Sequence, residues 1–346
     1  MEYATAFDVG DRKRDEGGLN EDSVAVAAVE DGHRDGIDED DATRGAVAFA
    51  LADGAGGHAA GDVASYIAST LVVEELVSVA ARGARSDPTP FGIDFEDPLP
   101  EPATAVSVQS AIDGAIQSAH RDVLAYAERA GEAALTTVVA GVAVDGQLHY
   151  GWVGDSRLYV CNAVEETIEL VTKDHSVVTE LADAGEVDEV EAHVHPRGHE
   201  ITHAVGGHPA EAGAGANVPV ETHTVPLYAE DVVLVTSDGL IDAQTDAPVL
   251  HDRYVAAGRS EDVADEIREA VVTDDEIADH VFDADGLQGA ADALIELGND
   301  RGGKDNLSTI LFRDQSLRET PADPPTRAID PDERVEDRET VIVPDE

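Results

Sequence analysis

Four acidic residues stand at the ends of short apolar runs that are typical of buried strands. They are Asp22, Asp53, Asp238 and Asp305. If the strands are neighbours, the carboxylates converge at one end of a sheet, where they cannot all stay ionised without compensation. Mg²⁺ or Mn²⁺ would compensate the charge, because hard cations prefer oxygen ligands. Two such ions ~3.5–4 Å apart could share a carboxylate and activate water for attack on a phosphoryl group.

An acid at a strand end also has a simpler explanation in this chain. Asp and Glu account for 74 of the 346 residues. Asp followed by Gly, as at Asp53 and Asp238, is a common turn dipeptide. Taken singly, each acid is explained equally well as a turn residue or as solvated surface, so spacing alone leaves the metal site as one option among several.

The elements that would position these residues form hairpin-linked groups. Apolar runs predict strands at Ser23–Val29, Ala46–Ala52, Thr137–Val144, Leu148–Val153, Arg157–Cys161, Val232–Thr236 and Leu307–Phe312. Amphipathic periodicity predicts helices at Gly61–Ala81, Thr104–Ala130, Ser176–Ala184, Glu261–Val272 and Gly286–Leu297. Because the two long helices are consecutive and do not alternate with strands, the pattern favours an α+β fold with antiparallel sheets and helices outside.

The chain is strongly acidic. Lys and Arg number only 22, which gives a formal net charge of −52. This charge argues against nucleic-acid partners and against docking on anionic membranes. Hydrophobic residues still make up 42% of the chain, so we expect the body to fold. Acid excess with few lysines resembles proteins of halophiles that accumulate salt, and it predicts a fold that depends on salt.

Other features bear on the compartment. Cys161 is the single cysteine, so no intrachain disulfide can form. The N-terminus shows no signal peptide, and no uninterrupted apolar run approaches the ~20 residues of a membrane span. We therefore expect a cytoplasmic protein that does not associate with membranes.

Ten short strings follow one another along Tyr3–Arg313. They are Asp8–Gly10, Asn20–Ser23, Ala52–His58, Thr136–Thr137, Gly154–Tyr159, Thr172–Ser176, His195–Arg197, Ile201–Gly206, Thr236–Leu240 and Lys304–Asn306. Each string is weak alone. In this order they resemble the microbial form of the type 2C family of metal-dependent Ser/Thr protein phosphatases.

The resemblance implies a domain in which two antiparallel sheets stack between pairs of helices, an α-β-β-α sandwich. We expect this domain over residues 1–313, with a flap at about 176–200, and an acidic, disordered tail over 314–346. The resemblance also implies two Mn²⁺ or Mg²⁺ ions. The expected reaction is hydrolysis of phosphoserine and phosphothreonine in proteins that Ser/Thr kinases have phosphorylated.

The resemblance further implies roles for single residues. Asp53 would bridge both ions, and the carbonyl of Gly54 would bind one of them. Asp238 and Asp305 would bind the other ion, and Asp22 would hold metal-bound waters. Asp53 and Asp238 are therefore the expected catalytic carboxylates.

The chain departs from the family pattern near the phosphate and at a third metal site. The family's phosphate-binding arginine would stand at Gly17. We expect Arg14, or else Arg12, to take its place, because a guanidinium binds phosphate in a bidentate manner. Leu135 replaces the usual glycine before the Thr pair, and Glu132 is the nearest acid upstream, so we do not expect a third metal.

Two other functions stay open. One is a regulatory or binding module on the same fold, although all four aspartates that such modules tend to lose are present. The other is a hydrolase of small phosphoesters, which only substrate profiling would separate. His193 and His195 have a spacing that could suggest zinc, but no third soft ligand lies nearby in the sequence.

Overall fold

The computed structural model describes residues 1–30, 45–55, 60–83, 104–211, 216–244 and 246–329. The strands in these ranges are β1 (Glu2–Asp8), β2 (Asp22–Glu30), β3 (Gly45–Ala55), β4 (Ala134–Thr136), β5 (Val138–Val144), β6 (Gln147–Val153), β7 (Arg157–Asn162), β8 (Thr167–Leu170), β9 (Val205–Gly207), β10 (Glu221–Pro226), β11 (Asp231–Thr236) and β12 (Leu307–Arg313). The α-helices are α1 (Asp11–Asp15), α2 (Gly61–Gly83), α3 (Ala105–Ala130), α4 (Val177–Asp183), α5 (Glu189–Ala192), α6 (Ala247–Ala256), α7 (Glu261–Ala270), α8 (Asp274–Asp283) and α9 (Gly286–Asp300).

Two antiparallel sheets form the centre of the fold. One sheet has the strand order β1-β12-β11-β7-β8. The other has the order β10-β6-β5-β3-β4-β9, and β2 joins it by pairing with β3. The predicted α+β class with stacked antiparallel sheets is therefore confirmed.

The alternation of side chains along β3 explains how the layers stack. Phe49 and Leu51 point into the apolar core between the sheets, where the Phe49 ring lies 5.2 Å from that of Phe312 on β12. Ala48 and Ala50 point the other way, into the core formed with α2 and α3. Successive side chains of a strand face opposite sides, so large residues fill the space between the sheets and small ones let the helices approach closely. Helices α8 and α9 cover the outer face of the other sheet.

Helix α2 is a core helix of the sandwich. By length and composition it could cross a membrane, and half of its most apolar stretch is buried within the protein. Ala64, Ala68, Val72 and Leu76 belong to the core beside β3. Serines and glutamates interrupt the apolar residues along this helix, which is why the sequence alone shows no run of that length.

Residues 314–329 correct the expectation of a disordered tail that begins at 314. Arg327 is 5% exposed. Its guanidinium donates to Asp231 at 2.6 Å and to Glu169 at 2.7 Å, and Thr320 donates through its amide and its hydroxyl to Glu230. Hydrogen bonds and ion pairs thus hold this segment against β8 and β11, although its sequence is polar and rich in proline. Residues 330–346 lie outside the described ranges.

Candidate metal centre

The fold brings the four predicted aspartates to one place. Asp22 and Asp53 are direct partners across the β2–β3 pair. Asp238 directly follows the 231–236 strand, Asp305 shortly precedes the 307–313 strand, and these two strands pair antiparallel. Besides burial, the negative charges of the other three act on Asp53 and raise its pKa. Each sheet therefore contributes two carboxylates to a single cluster.

Burial and mutual repulsion disfavour the charged forms of Asp22, Asp53 and Asp238. Burial, together with the charge of Asp305, raises the pKa of Asp22 to about 6. Burial and the charges of Asp305 and Asp242 raise the pKa of Asp238 to about 7. The pKa of Asp53 lies well above its usual value because of burial and the other three charges. Carboxylates this close together cannot all ionise at neutral pH unless further positive charge binds beside them.

The Thr pair fixes the backbone of Asp53. The hydroxyl of Thr136 and the amide of Thr137 both donate to the Asp53 carbonyl at 2.8 Å. The Asp53 amide donates to the Thr137 hydroxyl at 3.1 Å. At Gly54 a side chain would not fit, because a Cβ there would lie 2.6 Å from the backbone of Gly61. These contacts explain why small and hydroxyl residues surround the predicted bridging carboxylate.

Asn306 connects the loop before β2 to the start of β12. Its amide group donates to the carbonyls of Val9 and Leu19, and its Oδ1 accepts from the amide of Glu21 at 2.8 Å. Gly239 lies so close that a Cβ there would sit 1.9 Å from the Asn306 carbonyl oxygen. The residues beside Asp22, Asp238 and Asp305 are therefore locked together through the backbone.

Lys13 is a basic residue that enters this cluster, and little in the sequence indicates that it does. Its Nζ donates to Asp305 at 2.6 Å and to Asn306 at 2.8 Å, with Glu21 at 3.3 Å. Burial acts against the ammonium charge, but Asp305 and Glu21 raise the pKa of Lys13 overall. The one available signal was that Lys13 is one of three lysines, and it stands shortly before the Asn20–Ser23 string.

Arg14, the predicted phosphate contact, is bound by carboxylates that do not belong to the aspartate cluster. Its guanidinium donates to both carboxylate oxygens of Asp8 at 2.6 Å and to Asp11 at 2.7 Å. About half of its side chain is exposed. Arg12 pairs with Glu16 at 2.9 Å. A contact between Arg14 and phosphate stays a prediction.

The residues present fit hard divalent cations. Both carboxylate oxygens of Asp22 are buried and have no hydrogen-bond partner. The four aspartates offer only oxygen atoms, which are the ligands that Mg²⁺ and Mn²⁺ prefer. Bound cations would also relieve the repulsion that raises the pKa values of the carboxyl groups. Of the predicted Ala52–His58 string, residues 56–58 lie outside the described ranges.

A cavity of about 690 Å³ opens beside Asp238. Asp155 lines it, and burial with the charge of Asp238 raises the pKa of this carboxyl well above its usual value. Arg157 lines it too and pairs with Asp174 at 2.8 Å. His193 and Ile329 lie on other parts of the wall.

Comparison with known proteins matches this fold and site to one family. The family model described as Protein phosphatase 2C matches residues 9–272. The Ser/Thr phosphatase stp of Listeria welshimeri is 28% identical over 265 residues, which cover 75% of this chain and 82% of that protein.

Solved structures agree with this match. The Ser/Thr phosphatase PstP/Ppp of Mycobacterium tuberculosis superposes with a TM-score of 0.60 at 25% identity, over 92% of this chain and 99% of that one. The catalytic domain of a PstP in complex with two manganese ions superposes with a TM-score of 0.56 at 24% identity, over 90% and 96% of the two chains.

The chain belongs to the protein phosphatase 2C family. The predicted identification as a metal-dependent Ser/Thr protein phosphatase is thereby confirmed at the level of the family. An origin in a halophile stays a prediction.

Proposed function

We propose that this chain removes phosphate from phosphoserine and phosphothreonine in proteins, at a two-metal centre formed by Asp22, Asp53, Asp238 and Asp305. One observation carries the proposal. Carboxylates from four separate strand ends meet in one cluster, and burial together with the neighbouring negative charges raises the pKa values of Asp22, Asp53 and Asp238. Assembling such a cluster destabilises the fold unless cations neutralise it, as is common at functional sites.

The position of each aspartate supports its proposed role. Asp53 is coupled to the other three charges, so we assign it to both ions, with the carbonyl of Gly54 beside it. Asp238 and Asp305 are assigned to the second ion, and Asp22 to the water molecules around the ions. When bound, Mn²⁺ or Mg²⁺ supplies the Lewis acidity that activates water and offsets the charge of the substrate phosphate.

We propose Lys13, rather than Arg14, as the cation that meets the phosphate. The ammonium of Lys13 contacts Asp305 directly, whereas Asp8 and Asp11 hold the guanidinium of Arg14. Cations on Asp305 would compete with Lys13 for that carboxylate, which would free the ammonium for an incoming anion. A lysine binds phosphate as a point charge, without the bidentate geometry of an arginine.

Relatives support the proposed substrate and metal. The matched Listeria and Mycobacterium proteins are named serine/threonine phosphatases, and a solved PstP catalytic domain contains two manganese ions. We therefore propose phosphoproteins made by Ser/Thr kinases as substrates, and manganese or magnesium as the metal. We also propose that the protein acts in the cytoplasm and has no membrane or nucleic-acid partner. Cell fractionation tests the proposed location.

Hydrolysis of a phosphothreonine peptide at molar KCl, with and without Mn²⁺, tests the proposal. We expect activity only with Mn²⁺, and a loss of at least about 100-fold in Asp238→Ala, because even partners of metal ligands often cost that much. Asp122→Ala, which removes an exposed acid of α3, is the matched control and should keep full activity.

Four outcomes would contradict the proposal. Activity without metal, or full activity in Asp238→Ala, would reject the metal mechanism. Absence of activity on any phosphoester with Mn²⁺ would indicate a binding module. Hydrolysis of p-nitrophenyl phosphate without hydrolysis of the peptide would indicate a small-molecule phosphoesterase.

A further inference from the structure

A second group of metal-ligating side chains lies away from the aspartate cluster. Glu191 of α5, His195 of the following loop and His251 of α6 each place one ligand atom within 4.8 Å of the others. In the sequence, the histidine pair His193 and His195 has no third soft ligand nearby. The fold supplies one by docking α6 onto the segment after α5, and it uses His195 without His193.

The carboxylate of Glu191 points one oxygen at the imidazoles. Its Oε2 accepts two hydrogen bonds from the Arg259 guanidinium, at 2.8 and 2.6 Å. Its Oε1 lies 3.4 Å from Nε2 of His251. Zinc–ligand distances of about 2.0–2.2 Å in a tetrahedron place neighbouring ligands roughly 3.3–3.6 Å apart. The pair Glu191–His251 therefore already has the spacing of two ligands on one ion.

The two imidazoles are suited to ligation. Their ring centroids lie 5.4 Å apart and the rings are nearly perpendicular, at 85°. Burial and the neighbouring His251 lower the pKa of His195, which favours the neutral form that binds metals.

Ligation changes the tautomer of one ring. The Arg197 amide donates to Nδ1 of His195 at 3.2 Å, so the proton of the neutral ring is on Nε2. Binding of an ion at Nε2 moves that proton to Nδ1 and gives up this long hydrogen bond. The number of protons on the ring does not change.

We propose that Glu191, His195 and His251 bind one divalent transition-metal ion, for which zinc is the best match. Two imidazoles and a carboxylate are a common zinc ligand set, with a water or a substrate as the fourth ligand. The site differs in kind from the oxygen-only aspartate cluster, because imidazole favours zinc over Mg²⁺. The proposal does not depend on the proposed phosphatase activity.

An ion at this site would fasten one wall of the cavity beside Asp238. Val194 already packs with Leu250 and Tyr254 of α6, so the two segments are in contact before any ion binds. Ala192 and His193, which lie between two of the ligands in sequence, line the cavity. The ion would add a second attachment and restrict the movement of that wall.

Zinc content after dialysis against a weak chelator, with excess Mg²⁺ to fill the aspartate cluster, tests the proposal on the full chain. We expect His251→Gln to hold one zinc fewer per chain than the unchanged protein. Its zinc affinity should fall by at least about 100-fold, because loss of a partner of a ligand alone costs 10–100-fold. His199→Gln, an exposed histidine of the same loop, should retain the zinc.

Equal zinc content in His251→Gln and the unchanged protein would overturn the proposal. An equal loss in His199→Gln would also overturn it. Circular dichroism shows whether each variant is folded. If His251→Gln does not fold, His195→Gln and Glu191→Gln replace it and must each lose the same zinc. An unchanged rate of hydrolysis with Mn²⁺ in these variants would be compatible with the proposal, because the count of zinc does not rest on activity.

Discussion

Asp238→Asn should stabilise the metal-free protein while it removes the function. Burial and neighbouring carboxylates raise the pKa of Asp238 from 3.8 to about 7. Because the folded state holds the proton more tightly than the unfolded chain does, the free energy of unfolding falls as pH rises from about 4 to about 7. The neutral Asn removes this cost.

The shift gives the size of the effect. At pH 8 a shift of about 3 pKa units corresponds to about 4 kcal/mol, which Asn should recover in the free energy of unfolding. At pH 5 the cost comes only from the interval between the unfolded pKa of 3.8 and the pH of the solution. The gain in the free energy of unfolding should therefore shrink to about 2 kcal/mol. Asp122→Asn removes one exposed negative charge and should change the stability by less than about 0.5 kcal/mol.

Urea unfolding in EDTA at constant ionic strength measures these gains. With saturating Mn²⁺ the unchanged protein should have a larger free energy of unfolding than Asp238→Asn. An ion that binds only the folded state stabilises it, and the Asn variant has lost a ligand for that ion. A gain in Asp238→Asn no larger than that in Asp122→Asn would refute the reasoning, as would a gain that is the same at pH 5 and pH 8.

Three further results are expected. Lys13→Met should lower kcat/KM for a phosphopeptide by at least about tenfold, because charge-assisted hydrogen bonds contribute about 1.5–3 kcal/mol. Arg14→Met should lower it less. A larger loss in Arg14→Met than in Lys13→Met would restore the prediction for Arg14. Arg327→Met should lower the free energy of unfolding by about 3 kcal/mol, because it leaves the buried Asp231 without its cation. An unchanged urea midpoint would show that residues 314–329 do not stabilise the domain. The melting temperature should rise between about 0.1 M and about 2 M KCl as salt screens the acidic surface, and a constant value would contradict the salt-dependence hypothesis.

The sequence predicted the strands that carry the site because their apolar residues are nearly continuous. The strand β1 escaped prediction for the opposite reason. Its inward residues are Ala4 and Ala6, whereas Tyr3 and Phe7 are 50% and 65% exposed. Hydrophobicity therefore marks the wrong face of this strand, and its pairing with β12 defines it instead.

Features made by contacts between distant residues were harder to predict. Lys13 enters the aspartate cluster only because a short helix turns it toward Asp305. Likewise, Arg327 is ordered by carboxylates on two separate strands, and no local pattern marks such a partner. His251 meets Glu191 through the docking of α6. In each case the sequence shows a charged or titratable residue, and only the tertiary fold supplies the residue that it contacts.

Anomalous diffraction from crystals grown with Mn²⁺ tests the central claim most directly. The account predicts two strong manganese peaks between Asp22, Asp53, Asp238 and Asp305, with Asp53 in contact with both ions, and loss of at least one peak in Asp238→Ala. Manganese absent from this cluster, or unaffected by Asp238→Ala, would contradict it.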